Sequence, residues 1–219
     1  MKDCPYCKGT GTQYVESGSS LSYDCPDCNG SGYVPECPAC GREYYGDFCE
    51  DCYGVCACCE DIERLEHLDD DNLCEMCSDN VNEAVYALAM AGWYTGNLTR
   101  VQLGDICRSA YAELREWTVS FPKGEYPNID KREQFWVGEL ISKAASQGCT
   151  KLSKLTCGFC GQSGISVSFL GCEKDSDGEF ENWNAECIHC GKRSVDMDDP
   201  NSAIDIITNG EKGEIVNVG

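Results

Sequence analysis

Apolar residues recur at helical spacing in the middle of this chain and almost nowhere else. In Val81 to Trp93 (VNEAVYALAMAGW), Val81, Ala84, Val85, Leu88 and Ala89 fall on one face and predict an Ala-rich helix. Thr99 can cap a second helix reaching about Trp117, with an apolar stripe of Leu103, Ile106, Ala110, Leu114 and Trp117. The stretch FPKGEYPN then breaks the pattern with two prolines and a glycine. A third helix is expected from Ile129 or Asp130 to about Ser146. Its buried side is Phe135, Trp136, Leu140, Ile141 and Ala144, and Gly148 follows its end. These three helices would hold three of the four tryptophans and share a small core. Asp199-Pro-Asn-Ser-Ala-Ile-Asp-Ile-Ile reads as a capped short helix near the C-terminus.

Before Asn80 there is almost no apolar run. Modules of roughly 30 residues cannot bury enough surface to fold alone and need staples. Composition supplies them: the 20 cysteines are about 9% of the chain. Thirteen precede Asn80, two lie between Val81 and Thr156, and five follow. The start MKDCPYC has no apolar run of the secretory type, so no export signal is expected. No stretch approaches about 18 consecutive apolar residues, so no membrane span is expected. Cytoplasmic, reducing surroundings follow as the expectation, and there paired cysteines read as metal ligands before disulfides.

Eight C-x2-C pairs make four sets of four. The first is Cys4, Cys7, Cys25 and Cys28, an internal repeat of C-x2-C-x-G-x-G whose glycines allow tight turns around sulfur. The second is Cys37, Cys40, Cys49 and Cys52, with Gly41 after its first knuckle. The third is Cys56, Cys59, Cys74 and Cys77, which leaves Cys58 spare and His67 as an alternative ligand. The spacing leaves open whether the second and third sites are sequential or cross-braced. The fourth is Cys157, Cys160, Cys187 and Cys190, with Gly161 and Gly191 behind the knuckles and His189 nearby. Four Zn²⁺ ions are therefore expected. Each site is closed by four protein ligands, which is structural rather than catalytic. Cys58, Cys107, Cys149 and Cys172 stay unassigned; Cys107 falls beside the stripe of the second helix and reads as a small buried hydrophobe.

Three of these patterns resemble known families. Residues 4–34 resemble the cysteine-rich region of DnaJ-type (Hsp40) chaperones, which has four such repeats and two zincs where this chain has two repeats. The resemblance implies zinc at Cys4, Cys7, Cys25 and Cys28. It does not imply chaperone activity, because no His-Pro-Asp triplet is present. The same half-motif occurs in phage antitermination proteins. Leu73 before Cys74, with a helix expected from Asp79 or Asn80, looks like the ending of treble-clef or LIM-like half-sites. Residues 155–210 are similar to the Lar family of phage restriction-alleviation proteins, in which a CPFCG knuckle, a strand pair, a CxxCG knuckle and a helix follow in order. Ala203, Ile204 and Asn209 keep part of that helix pattern. Gly158 replaces the proline of the first knuckle, and the helix lacks the family's tryptophan.

The expected fold class is α+β: small zinc-stapled modules (a zinc hairpin, zinc ribbons and a treble-clef-like knuckle) flanking a helical middle domain. The expected boundaries are 1–34 for the DnaJ-like hairpin, 35–80 for tandem ribbon and treble-clef-like knuckles, 81–152 for the helical domain, and 153–219 for the Lar-like ribbon with its short helix.

Charge narrows the function. The formal net charge is −21, from 38 acids and 17 bases. Residues 1–80 hold 18 acids and 4 bases, whereas residues 81–156 hold 8 acids and 9 bases. Four thiolates on one Zn²⁺ leave −2, so four loaded sites would bring the total to roughly −29. Such a field repels phosphates and favours basic partners. No phosphate loop, nucleophile elbow or H-E-x-x-H occurs, and both histidines lie inside zinc modules, so no enzyme is expected. The leading expectation is an acidic regulatory or adaptor protein of phage type. It would bind a basic face on a host protein, such as a nucleic-acid enzyme, as an anti-restriction or anti-defence inhibitor. The candidate contact is Glu60 to Asp71, with carboxylates at Glu60, Asp61, Glu63, Glu66, Asp69, Asp70 and Asp71. The alternative is a zinc-ribbon protein that binds nucleic acid or a transcription complex through Arg100, Arg108, Arg115, Lys131 and Arg132.

Overall fold

A computed structural model of the chain describes residues 3–14, 22–44, 48–174, 179–210 and 215–217. It forms two compact units, Met1–Glu75 and Met76–Gly219.

The first unit has short strands and little conventional core. Strands β1 (Thr12–Tyr14) and β2 (Ser22–Asp24) pair antiparallel, Thr12 opposite Asp24. Strands β3 (Tyr53–Val55) and β4 (Ile62–Arg64) pair antiparallel, Tyr53 opposite Arg64. The buried cluster beneath β1 and β2 consists of Cys4, Cys7, Cys25, Cys28 and one aliphatic residue, Val34. Sulfur replaces the hydrocarbon that a module this small lacks.

The second unit is helical and sheet-bearing. Helix α1 spans Glu75–Met90 and buries Val81, Ala84, Val85, Leu88 and Ala89. It begins several residues before the apolar pattern does, because the Cys74-Glu-Met-Cys77 knuckle already forms its first turn. It also ends earlier than the pattern, at Met90, where Gly92 adopts φ 81°. Trp93 therefore lies outside any helix. It belongs to strand β5 (Trp93–Tyr94), paired with β6 (Thr150–Lys151), and the Lys151 ammonium sits 5.4 Å from its ring centroid. Helix α2 (Arg100–Val119) starts with a capping box in which Thr99 and Gln102 exchange bonds. Helix α3 (Ile129–Ser146) starts at Asn128, whose side chain accepts from the Lys131 amide. The two pack along each other, with Trp117 stacked on Phe135 at 4.5 Å and Tyr111 at 5.3 Å from buried Trp136.

Strands β7 (Ile165–Lys174), β8 (Glu179–Cys187), β9 (Lys192–Ser194) and β10 (Ile215–Asn217) form one antiparallel sheet in the order β10-β9-β8-β7. Helix α4 (Pro200–Asn209) lies against it. Asp199 caps α4 through the Ser202 amide, Pro200 occupies its first turn, and Gly210 ends it at φ 71°. Fully buried Trp183 centres the core between sheet and α4, and Ala89 and Tyr86 of α1 pack into the same core. Helix α1 and the C-terminal sheet thus share one hydrophobic core.

Candidate metal centres

The sixteen paired cysteines converge as four tetrads: Cys4, Cys7, Cys25, Cys28; Cys37, Cys40, Cys49, Cys52; Cys56, Cys59, Cys74, Cys77; and Cys157, Cys160, Cys187, Cys190. Within each, all four sulfurs lie within 4.8 Å of one another. The second and third sites are sequential, not cross-braced. All 20 cysteines are free of disulfides.

The sulfur spacing tests whether the tetrads fit an ion. A tetrahedral ion holding sulfur at about 2.3 Å requires sulfur–sulfur edges of about 3.8 Å. The edges Cys4–Cys25 and Cys7–Cys28 are 3.9 and 3.7 Å. Cys40–Cys49 is 3.9 Å, Cys59–Cys74 is 3.8 Å, and Cys157–Cys190 and Cys160–Cys187 are 3.8 and 3.7 Å. These sulfurs stand where a tetrahedral metal would hold them.

Each knuckle is shaped by its backbone. In the first site the two repeats are related by near two-fold symmetry. Gly11 N–H donates to Cys7 Sγ and Gly32 N–H to Cys28 Sγ, both at 3.3 Å. Cys25 N–H bonds Gly11 O, and Cys4 N–H bonds Gly32 O, both at 2.8 Å. The hydroxyls of Thr10 and Ser31 each donate to the carbonyl of the preceding knuckle cysteine at 2.7 Å. That role was written in the repeat itself, G-T-G against G-S-G, yet sequence reasoning passed over it. In the second and fourth sites Gly41, Gly161 and Gly191 take φ 72°, 73° and 65° and donate back to the first cysteine of their knuckle. In the third site the same left-handed position holds Glu60, at φ 64°.

Backbone donors favour thiolate at some of these sulfurs, whereas burial and neighbouring thiols push others up, Cys28 to about 11. Burial raises the Cys56 thiol, but N–H groups of Cys74, Cys59 and Cys58 outweigh it and bring it down to about 6. Burial likewise raises Cys187, and the amides of Cys190 and His189 bring it down to about 7. The sites differ in exposure. All four ligands of the first are buried, whereas Cys40, Cys160 and Cys190 are exposed.

Neither histidine joins a tetrad. His67 is exposed, with Nδ1 3.8 Å from Glu63, and His189 Nε2 lies 2.9 Å from Ser163 O. Cys107 is buried and donates to Asn80 O at 3.4 Å, as a small core residue does. Cys149 is buried, which pushes its thiol up to about 11. Cys58 is buried, and Cys172 is exposed on β7.

The acidic run from Glu60 to Asp71 is only partly a free face. Asp69 Oδ1 accepts from the amides of Asp71 at 3.0 Å and Leu73 at 2.8 Å, building the turn that delivers Leu73 and Cys74. Glu66 pairs with Arg64 at 2.5 Å. Sequence reasoning treated these seven carboxylates alike; Asp69 followed by a buried leucine four residues on was the available signal.

Among the described residues no helix is long and apolar enough to cross a membrane. No protein-family profile, curated protein or solved structure matches the chain.

Proposed function

We propose that this protein is a zinc-stapled regulatory or adaptor protein that acts by binding, not by catalysis. Zinc is the metal assigned to the four tetrads, because four thiolates at tetrahedral spacing form its usual closed structural site. Four cysteines fill each site and leave no position for substrate or water. The partner is a host protein with a basic surface, such as one that handles nucleic acid, and the protein competes with nucleic acid for that surface. The resemblance of its C-terminal ribbon to restriction-alleviation proteins supports a phage-type, anti-defence role.

The observation that carries this reading is charge. The chain carries 38 acids against 17 bases, and 18 of the acids, against 4 bases, lie in the cysteine-rich residues 1–80. Carboxylates on metal-pinned modules lose little entropy on docking and speed encounter with an oppositely charged face. The alternative reading, direct nucleic-acid binding, has to work against that field.

The test is affinity capture from a bacterial lysate with the zinc-loaded chain, followed by measuring the captured enzyme's DNA binding with and without this protein. Capture of a nucleic-acid enzyme, with competition that weakens as salt rises, supports the reading. Tight binding of bare DNA or RNA at physiological salt overturns it.

A further inference from the structure

Within the second unit, a groove of about 980 Å³ opens beside α1, the start of α2, β7, β8 and the start of α4. No cysteine of the four tetrads lines it. Its volume is at the upper end of the range of about 300–1,000 Å³ typical of binding clefts.

Its apolar wall is aromatic and fixed. Tyr86 and Phe169 meet edge to face at 5.6 Å, and both pack on buried Trp183, at 5.1 and 5.0 Å. Among the described residues, four carboxylates line the same groove, Glu83, Glu181, Asp198 and Asp199, against one cation, Arg100.

The bonding of these acids matters more than their number. Glu83 accepts from the Tyr111 hydroxyl at 3.0 Å, and Glu181 accepts from Trp183 Nε1 at 3.1 Å. Asp199 accepts from the amide and hydroxyl of Ser202, at 2.7 and 2.8 Å. Each is therefore oriented by a neutral donor rather than by a cation. Asp198 is exposed and has no side-chain partner among the described residues. Arg100 donates to Ser78 Oγ at 2.7 Å and to Asn82 Oδ1 at 3.0 Å, which ties its guanidinium to α1. The groove combines an excess of carboxylates with half-buried aromatic rings.

That combination selects its occupant. A hydrated metal ion gains nothing from the aromatic wall, and phosphate groups are repelled by the acids. A Lys or Arg side chain satisfies both halves, its stem lying on the rings and its charged end meeting the carboxylates. We propose that this groove docks a basic, extended segment of a partner protein, seating one Lys or Arg side chain across Tyr86 and Phe169 with its charge among Glu83, Glu181 and Asp198. The proposal rests on the reading above that the partner is basic, and it locates the contact.

The experiment uses the full zinc-loaded chain, labelled with ¹⁵N and titrated with the blocked tripeptide acetyl-Lys-Arg-Lys amide; acetyl-Glu-Ser-Glu amide is the control. Saturable shifts centred on the amides of Glu83, Tyr86, Phe169 and Asp198 are expected. The double variant Asp198→Asn with Glu181→Gln should weaken binding about five- to tenfold. The side-chain amide introduced by Glu181→Gln keeps an oxygen that can accept from Trp183, so the fold is retained and an unchanged spectrum away from the groove verifies this. Shifts centred on residues 60–71 instead, or equal affinity in the variant, would overturn the proposal. So would a variant that loses the tripeptide yet captures the lysate partner as well as the wild type does; the broader reading would then stand without this groove. Groove binding of the tripeptide with no basic partner in the lysate supports the groove's ligand chemistry and counts against the broader reading.

Discussion

A methyl group on Gly11 would stand 2.2 Å from the Gly30 carbonyl oxygen, and one on Gly32 would stand 2.5 Å from Gly9 O. Real Cβ atoms do not approach backbone that closely, and both residues also sit at positive φ. Gly11→Ala should therefore weaken the first metal site by about 1–3 kcal/mol. The readout is zinc transfer to a chelator: one ion of four should leave early, with the other three unchanged. Gly9→Ala meets only the flexible Asp3 side chain, at 3.2 Å, and should lose less. Equal behaviour of the two variants would mean that backbone crowding is not what shapes the knuckle. The third site offers the converse. Glu60 occupies a left-handed position that glycine holds in the second and fourth sites, so Glu60→Gly should retain zinc longer, by about 1 kcal/mol. The cysteine tetrads and their glycines were legible in the sequence because CxxC spacing and the following glycine are local geometry. Asp69 was not, because its role depends on where the chain turns next.

Element by element, legibility followed periodicity. The expected third helix coincides with α3, and the second shares the Thr99 cap of α2 and ends two residues before it. Caps and a long apolar stripe determine such helices locally. Helix α1 begins early because the Cys74–Cys77 knuckle rather than an apolar pattern sets its first turn, and the two-residue ladder of β5 with β6 is too short to leave a periodic signature. The tyrosine tying α2 to α1 has a measurable consequence. Burial, and then the bond to Glu83, push the Tyr111 hydroxyl up to about 12. Its unfolded value is about 10, so folding favours the protonated form. That stabilisation is complete below pH 10 and disappears as pH climbs towards 12. Tyr94, raised by burial and its bond to Asp205, follows the same sign at still higher pH. Urea midpoints measured at pH 9 and 11 should fall in the wild type and fall less in Tyr111→Phe. An identical decline in both would remove Tyr111 from the account.

At the scale of the whole chain, charge and metal are linked, since each closed Cys4 site adds two negative charges to an already acidic protein. Native mass spectrometry of freshly reduced, zinc-loaded chain should show four ions; two or fewer would refute the assignment. The acidic run of the first unit then becomes a question of which carboxylates are available to a partner. Asp69 builds the turn ahead of Cys74, and Glu66 is engaged by Arg64, so neutralising either changes structure along with charge. Asp61 and Asp70 are exposed, and neither side chain has a partner among the described residues. They isolate the electrostatic role. Surface charges act over a screening length of about 8 Å at physiological ionic strength, so their removal should slow encounter more than it speeds dissociation. Asp61→Asn with Asp70→Asn should reduce the association rate with the captured partner about two- to fivefold at low salt and flatten its salt dependence, while all four zincs stay bound. Asp69→Ala should do something different, loosening the third site so that a chelator removes its zinc sooner. If the double variant associates at the wild-type rate across the salt series, the run is a solvated face and the partner is steered by carboxylates elsewhere on the chain.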